Sequence, residues 1–258
     1  MLIKKTSKRK KYGIVKSSIL YNMGKEPNEL LLIPDNMGEL IVPLSNQITL
    51  KLIGNAKATK LNADGCYFLR PRRRGMVITC NANTKFLIVK IDPMHIGDLC
   101  NDLKEISRGI HSMDIGLDLL RKLKIDKKVG TNELEDILRR ESVIDDSVST
   151  LSDTVAASIE QIQHHSGSIK VRDIYHALNV SKSKLEQHFN KEIGLTPKEF
   201  CKIEKINYFI NSYKQDEEQN LTELTYKCGY YDQSHLIKDF RYFLDVSPRK
   251  FFASEKRD

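Results

Sequence analysis

The C-terminal part of the chain contains one pattern of apolar and turn residues twice. The matched pairs lie 50 residues apart before a central turn and 51 residues apart after it. They are Val171/Leu221, Ile174/Leu224, Leu178/Cys228 and Asn179/Gly229, then Leu185/Leu236, Phe189/Phe240, Thr196-Pro197/Ser247-Pro248 and Phe200/Phe251. A repeat of this length predicts two copies of one supersecondary unit, with one extra turn residue in the second copy.

Each copy has the pattern of two short helices joined by a tight turn. In the first copy, Val171–Leu178 forms a short amphipathic stretch, and Asn179 follows where the backbone needs a left-handed residue. Ser181 is a suitable N-cap for a second helix, which Gly194 ends. This pattern is typical of a helix-turn-helix unit.

The second copy repeats the arrangement with other capping residues. Asn220 caps its first helix, Gly229 supplies the turn and Asp232 caps its second helix. A further helix begins after each copy, at Thr196-Pro197 and at Ser247-Pro248. Two such units joined by one stiff helix can place a helix in each of two neighbouring major-groove turns, which recur every ~34 Å along DNA.

Over about residues 147–258 these motifs resemble the AraC/XylS family of bacterial transcription regulators. The resemblance is carried by Ser181-Lys182-Ser183-Lys184-Leu185…Phe189…Gly194-Leu195-Thr196-Pro197 and by Cys228-Gly229-Tyr230-Tyr231-Asp232-Gln233-Ser234-His235-Leu236…Phe240…Ser247-Pro248. The chain departs from the family at Tyr175 and Thr225, which replace a small alanine, and at Asp245, which replaces a common glycine. The resemblance implies binding to double-stranded promoter DNA, RNA polymerase as a further partner, and no cofactor, metal or catalytic site.

The resemblance also implies which side chains face the DNA. The base-reading side chains are Ser183, Glu186 and Gln187 on a first recognition helix, about residues 182–193, and Gln233, Ser234, Ile237 and Lys238 on a second, about residues 233–244. Glutamine pairs well with adenine, glutamate accepts from the cytosine amino group, and isoleucine can contact the thymine methyl. Phosphate contacts, which position the protein, fall to Lys182, Lys184, Lys191, Arg241, Arg249 and Lys250.

The positive charge of the chain lies outside this region. Residues 147–258 hold equal numbers of basic and acidic side chains, so the net charge of +8 belongs to residues 1–146. A basic block over residues 4–11 predicts either an arm that meets phosphate or a solubilising tail. Glu186, Glu192 and Asp239 are expected near the DNA face, where they would weaken non-specific binding.

Residues 30–91 contain short apolar runs separated by turn-forming Asn, Asp, Gly and Pro. The candidate strands are Leu30–Ile33, Leu40–Val42, Ile48–Ile53, Cys66–Leu69, Met76–Cys80 and Phe86–Ile91. They predict a small β-sandwich or barrel, similar in architecture to the cupin-like sensor domains of the family. Helical patterns follow Pro93, with an apolar stretch from Met113 to Leu123 and Asn132/Glu135 as a capping pair for a helix through Leu138.

A metal site and an anion site are the two binding-site hypotheses for this half. A cupin-type metal site needs two or three histidines, and the predicted strands contain none, since His95 and His111 follow them. The cluster Arg70-Pro71-Arg72-Arg73-Arg74 can bind an anion through its guanidinium groups. A solvated turn is the favoured interpretation of that cluster.

The overall expectation is an α+β protein of two domains. We expect a basic arm and lead-in over residues 1–29, a β-rich sensor or oligomerisation domain with trailing helices over 30–144, and an all-α DNA-binding domain over 145–258. No apolar run approaches the roughly 18 residues that cross a bilayer, and no signal-peptide core follows the basic start, so a membrane is not an expected partner. The five cysteines are scattered without a CxxC pair, which favours the reducing cytoplasm.

Two other functions remain open at this point. One is a DNA-targeted enzyme, such as a repair or methyl-transfer protein with a reactive cysteine, although Cys201 and Cys228 occupy packing positions. The other is a DNA-binding scaffold that senses nothing, with Met113–Lys124 as a seam of a homodimer. Binding of a small-molecule effector by the N-terminal half would distinguish the sensor from the scaffold.

Overall fold

The computed structural model describes residues 13–63, 65–96, 110–113, 130–140, 151–216 and 219–255. An antiparallel β-sandwich occupies the N-terminal part and helices occupy the C-terminal part, which confirms the predicted α+β class. The strands are β1 (Val15–Asn22), β2 (Asn28–Leu32), β3 (Gly38–Pro43), β4 (Ile48–Leu52), β5 (Ala58–Leu61), β6 (Cys66–Leu69), β7 (Met76–Cys80), β8 (Lys85–Ile91) and β9 (Ile110–Met113). The helices are α1 (Thr131–Arg140), α2 (Asp153–His164), α3 (Val171–Ala177), α4 (Lys182–Glu192), α5 (Pro197–Gln215), α6 (Leu221–Lys227), α7 (Gln233–Leu244) and α8 (Pro248–Glu255).

The sandwich consists of two sheets whose inner faces form one core. One sheet has the strand order β1-β8-β3-β6-β9 and the other has β2-β7-β4-β5. Along β3, Ile41 faces the second sheet, whereas Leu40 and Val42 face a separate apolar layer that contains Leu134 of α1. Because successive side chains along a strand point to opposite faces, the two apolar layers bury β3 on both faces.

The six predicted strands are present, together with β1, β5 and β9, which were not predicted. The sandwich begins at β1, inside the segment predicted as an arm and lead-in, and β1 pairs along its length with β8. Its apolar alternation is interrupted by Lys16, Ser17 and Ser18, and β5 is a short edge strand in which only Leu61 is buried. Edge strands need less apolar sequence, because they are covered on fewer sides.

The predictions for the segment between the sandwich and the helices need correction. Met113 ends β9 rather than starting a helix, and the rest of the apolar stretch to Leu123 lies outside the described residues, as does the basic block over residues 4–11. A helix does reach Leu138, but it begins at Thr131, so Asn132 lies within it and is not its cap. Glu135 accepts hydrogen bonds from Arg139 and from the backbone N–H of Val15 instead, which ties α1 to β1.

The arginine cluster is not the solvated turn that the sequence favoured. Arg72 is buried and donates to Glu39, which is completely buried inside the sandwich. Arg70, Arg73 and Arg74 contact the helical domain. The cluster therefore connects the sandwich to the helical domain. Its partners in the helical domain are far away in sequence, so no local pattern predicts these contacts.

A second segment of the sandwich also packs against the helical domain. Asn36 donates to the backbone carbonyl of Phe200 at 2.9 Å, and Asn207 donates to the carbonyl of Pro34 at 2.6 Å. Leu31 and Ile33 pack against the helical core. The loop that follows β2 thus contacts α5, the helix that joins the two repeats.

Candidate nucleic-acid interface

The first helix-turn-helix unit consists of α3 and α4, and its turn has the predicted chemistry. Asn179 adopts a left-handed conformation with φ of 50°, and Gly194, just beyond α4, has φ of 90°. The side chain of Ser181 accepts a hydrogen bond from the backbone N–H of Lys184 at 3.2 Å. The start of α4 is therefore capped by a short side chain, which leaves its first turn accessible.

The second unit, α6 and α7, reaches the same geometry with different residues. Asn220 accepts from the N–H of Thr222 at 2.8 Å, and Asp232 accepts from the N–H of His235 at 2.8 Å. Gly229 has φ of 75°, and a Cβ at this position would lie 2.4 Å from the Ser168 hydroxyl oxygen. This turn requires glycine for its conformation and for its close packing.

Helix α5 joins the two units and packs against both recognition helices. Thr196 and Glu199 form the predicted capping box at its start. Phe200 of α5 packs edge-on against Phe189 of α4, with ring centroids 5.3 Å apart. Phe209, further along α5, makes the same kind of contact with Phe240 of α7 at 5.9 Å. One helix thus supports both recognition helices by matching aromatic contacts.

The predicted DNA-contacting side chains lie on the outer faces of the two units. Each recognition helix turns one face inward, with Leu185 and Phe189 buried on α4 and Leu236 and Phe240 buried on α7. The exposed side chains are Lys182, Ser183, Lys184, Gln187, Lys191, Gln233, Ser234, Lys238, Arg241, Arg249 and Lys250, and those of Glu186 and Ile237 are half-buried. A surface with this arrangement has the accessibility that groove reading requires.

Two features of the second unit were missed by the sequence analysis. The side-chain amide of Gln233 donates to the hydroxyl of Thr222 at 2.7 Å, so the first helix of the unit orients a predicted base-reading residue. Tyr231 precedes the N-cap of α7 and is 82 % exposed. The first contact joins two helices across the turn, so no local pattern predicts it.

Two of the three acidic residues expected near the DNA are engaged inside the protein. Asp239 is buried and pairs with Lys202 of α5 at 2.6 Å. Glu192 accepts hydrogen bonds from the backbone N–H and the hydroxyl of Ser152, at the start of α2. Of the three acids, this leaves Glu186 on the outer face, so that face carries less negative charge than the sequence suggested.

Comparisons with known proteins agree with this geometry. A family model described as a helix-turn-helix domain matches residues 174–254, which include all of α4 to α7. Residues 174–254 therefore match an AraC-type helix-turn-helix domain. A domain of this type binds DNA, and the protein is a DNA-binding transcription regulator. No curated protein sequence matches the chain.

Among solved structures, the fold of the chain is similar to that of ToxT from Vibrio cholerae. An apo variant of ToxT aligns with a TM-score of 0.59 and 12 % identity over 94 % of this chain and 98 % of that chain. ToxT bound to (E)-4-(8-methylnaphthalen-1-yl)but-3-enoic acid gives 0.56 and 13 % over 91 % and 97 %. Unsaturated-fatty-acid-bound ToxT gives 0.52 and 11 % over 91 % and 93 %. The similarity therefore includes both the sandwich and the helical domain.

The cysteines are packing residues wherever the structure describes them. Burial raises the pKa of the Cys201 thiol to about 12 and that of Cys228 to about 11. Both thiols therefore stay protonated near neutral pH and are poor nucleophiles. Cys66 is buried in the same way, with its pKa raised to about 12, and Cys100 lies outside the described residues.

The described part of the chain contains no group of three or more His, Cys, Asp or Glu side chains arranged to hold a metal ion. None of the helices described is both long and apolar enough to span a bilayer. His95 lies in a short 3₁₀ helix over Pro93–His95, whose start is capped by Asp92.

Proposed function

We propose that the protein recognises an asymmetric, two-part promoter site by inserting α4 and α7 into successive major grooves. The observation that supports this most directly is the common support of both recognition helices by α5, while the predicted contact residues face outward. Because both recognition helices belong to one chain, the two parts of the DNA site need not form a palindrome.

The proposal assigns base reading and positioning to different side chains. Gln187 on α4 and Ile237 on α7 read bases, and Lys184 and Arg249 bind phosphates. The base-reading residues lie on different units, so a change in one should affect only one part of the site. Each good bidentate base contact discriminates by about 1–3 kcal/mol, and each phosphate contact changes the slope of log K against log salt by about 0.9.

The experiment is selection of bound duplexes from a random-sequence pool by the full chain, followed by footprinting. Gln187→Ala is expected to relax base preference in one part of the selected site, and Ile237→Ala in the other. Lys184→Ala should weaken binding to all sequences and lower the salt slope by about 0.9. Lys60→Ala, on exposed β5, is the matched control and should leave both quantities unchanged. Loss of preference at the same bases in both α4 and α7 variants would contradict the proposal.

We propose further that the sandwich binds an apolar carboxylate that modulates DNA binding. Two structures of ToxT, whose fold is similar, contain an organic acid or an unsaturated fatty acid. The positive net charge of residues 1–146 of this chain suits an anionic ligand.

Ligand binding to the folded state raises the unfolding temperature. Oleate is therefore expected to raise that temperature for the full chain and to change its DNA affinity, whereas methyl oleate should do neither. No effect of oleate on either quantity favours the scaffold that senses nothing.

The remaining assignments follow from regulation at a promoter. RNA polymerase is the expected protein partner, and the cytoplasm is the expected location, because both polymerase and promoter are there in a bacterium. A homodimer through the N-terminal domain is a further proposal. Sedimentation of the full chain with and without its selected DNA measures the number of copies bound.

A further inference from the structure

The loop between β6 and β7 contacts the ends of both recognition helices. We call its contacting residues Arg70, Arg73, Arg74 and Gly75 the arginine brace. Arg70 donates from Nη2 to the backbone carbonyl of Glu192, the last residue of α4, at 3.5 Å. Gly75 donates its backbone N–H to the carbonyl of Phe243, in the last turn of α7, at 2.7 Å. The carbonyls of a last helical turn lack partners within the helix and carry its negative end, so both donors are well matched.

The other two members of the arginine brace contact neighbouring parts of the same assembly. Arg73 forms an ion pair at 2.8 Å with Glu199, in the first turn of the connecting helix α5. The Arg74 guanidinium lies 4.6 Å from the ring centroid of Tyr242, next to the end of α7. One loop of the sandwich thus contacts α4, α5 and α7.

The short length of this loop limits how far the two recognition helices can move apart. Six residues span at most about 20 Å even when fully extended. The contacts tie down the C-terminal ends of α4 and α7, whereas the N-terminal residues, which are expected to meet DNA, stay exposed. The brace therefore leaves the reading surface accessible.

The loop is itself fixed to the sandwich. Arg72, between the brace residues, is buried, donates to Glu39 and also donates to the backbone carbonyls of Leu32 and Ile33. A Cβ at Gly75 would lie 2.9 Å from Cδ1 of Ile53, 3.2 Å from the carbonyl oxygen of Leu32 and 3.3 Å from Cδ2 of Leu244. The brace is therefore tightly packed between a buried ionic anchor and the end of α7.

From these contacts we propose that the arginine brace is a positioning element for DNA reading. It fixes the rotational phase between α4 and α7, and so sets the spacing that the protein accepts between the two parts of its DNA site. The sandwich then contributes to DNA recognition, in addition to the ligand binding proposed above. This inference rests on the proposed two-groove reading.

The first test measures how binding depends on spacing. Selected duplexes are lengthened or shortened by one base pair between their two parts, which rotates one part by about 35° relative to the other. We expect the unaltered chain to lose at least about tenfold in affinity. The triple variant Arg70→Ala, Arg73→Ala, Arg74→Ala should lose less than about threefold, because its recognition helices adjust.

The control variant removes three exposed charges from the same domain, by Lys25→Ala, Lys51→Ala and Lys60→Ala, and should keep the tenfold penalty. An unchanged penalty in the arginine variant, or an equal loss at every spacing, overturns the proposal.

A second test needs no DNA and so separates the brace from the proposed function. Spin labels at Asn190 of α4 and Arg241 of α7, both exposed, report the distance between the recognition helices by electron–electron double resonance. The distribution should be narrow in the unaltered chain and clearly broader in the arginine variant. Gly75→Ala, which crowds both Ile53 and Leu244, should shift or broaden the distance distribution without removing a charge. Superimposable distributions in all three proteins refute the brace, even if DNA binding fails for another reason.

Discussion

The buried ionic cluster beneath the arginine brace permits a quantitative prediction. Glu39 is completely buried, and its carboxylate accepts hydrogen bonds from Arg72 and Lys90. Lys90 also pairs with Asp35 at 2.7 Å, so the four charges balance. Glu39→Gln keeps the shape of the side chain and leaves the cluster with one uncompensated positive charge.

The expected cost follows from the partners that remain. Breaking a buried pair by removing one charge costs about 3–5 kcal/mol. The low end applies here, because Asp35 still neutralises Lys90 and the carbonyls of Leu32 and Ile33 still accept from Arg72. We therefore expect a loss of about 3 kcal/mol, which lowers the unfolding temperature of a domain of this size by at least about 10 °C.

The assay is thermal and denaturant unfolding of the full chain between pH 7 and pH 3. Burial by itself would raise the pKa of Glu39, but the charges of Arg72 and Lys90 outweigh burial and hold the pKa below its ordinary value. A carboxyl with a lowered folded pKa stabilises the protein above the unfolded pKa of about 4.3 and loses that contribution as the pH falls further. The difference in unfolding free energy between the unaltered chain and Glu39→Gln should therefore shrink below about pH 4.

Exposed Glu26→Gln is the matched control and should change stability by less than about 0.5 kcal/mol. A cost below 1 kcal/mol at pH 7, or a gap that does not depend on pH, would refute the reasoning.

Three further predictions concern the helical domain. Gly167→Ala should cost about 3 kcal/mol in unfolding free energy, because φ is +75° and the new Cβ would lie 2.2 Å from the carbonyl oxygen of Cys201; a change below 1 kcal/mol would show that the turn relaxes. Thr196→Ala removes the capping box of α5 and should cost about 1 kcal/mol, with Thr196→Ser restoring most of it in the same denaturant titration. Lys202→Met leaves Asp239 without its ion-pair partner and should cost about 1–2 kcal/mol, a discounted value because Lys202 is 40 % exposed; a neutral result would mean that water replaces the lysine.

The parts of the fold that were predicted from sequence depend on local chemistry. The turn at Asn179 and the caps at Ser181 and Asp232 each involve residues within a few positions of one another. Capping and turn preferences act over this range, so a single sequence contains the information. The duplication strengthened the prediction, because the same pattern appeared in register twice.

The parts that the sequence did not reveal depend on distant partners. Arg70 contacts a residue 122 positions away, and Asn36 contacts one 164 positions away. Burial of Asp239 against Lys202 likewise depends on how α7 packs on α5. Composition treats exposed and buried charges alike, so the arginine loop was interpreted as a solvated turn.

The most direct test of the account is the DNA footprint of the full chain on its selected site. Two recognition helices supported by one helix predict two protected major-groove segments of unrelated sequence, about one helical turn apart on one face of the duplex. Gln187→Ala and Ile237→Ala should each remove the preference at a different segment. A single short protected segment, or binding without any sequence preference, would contradict the central claim that one chain reads two neighbouring grooves.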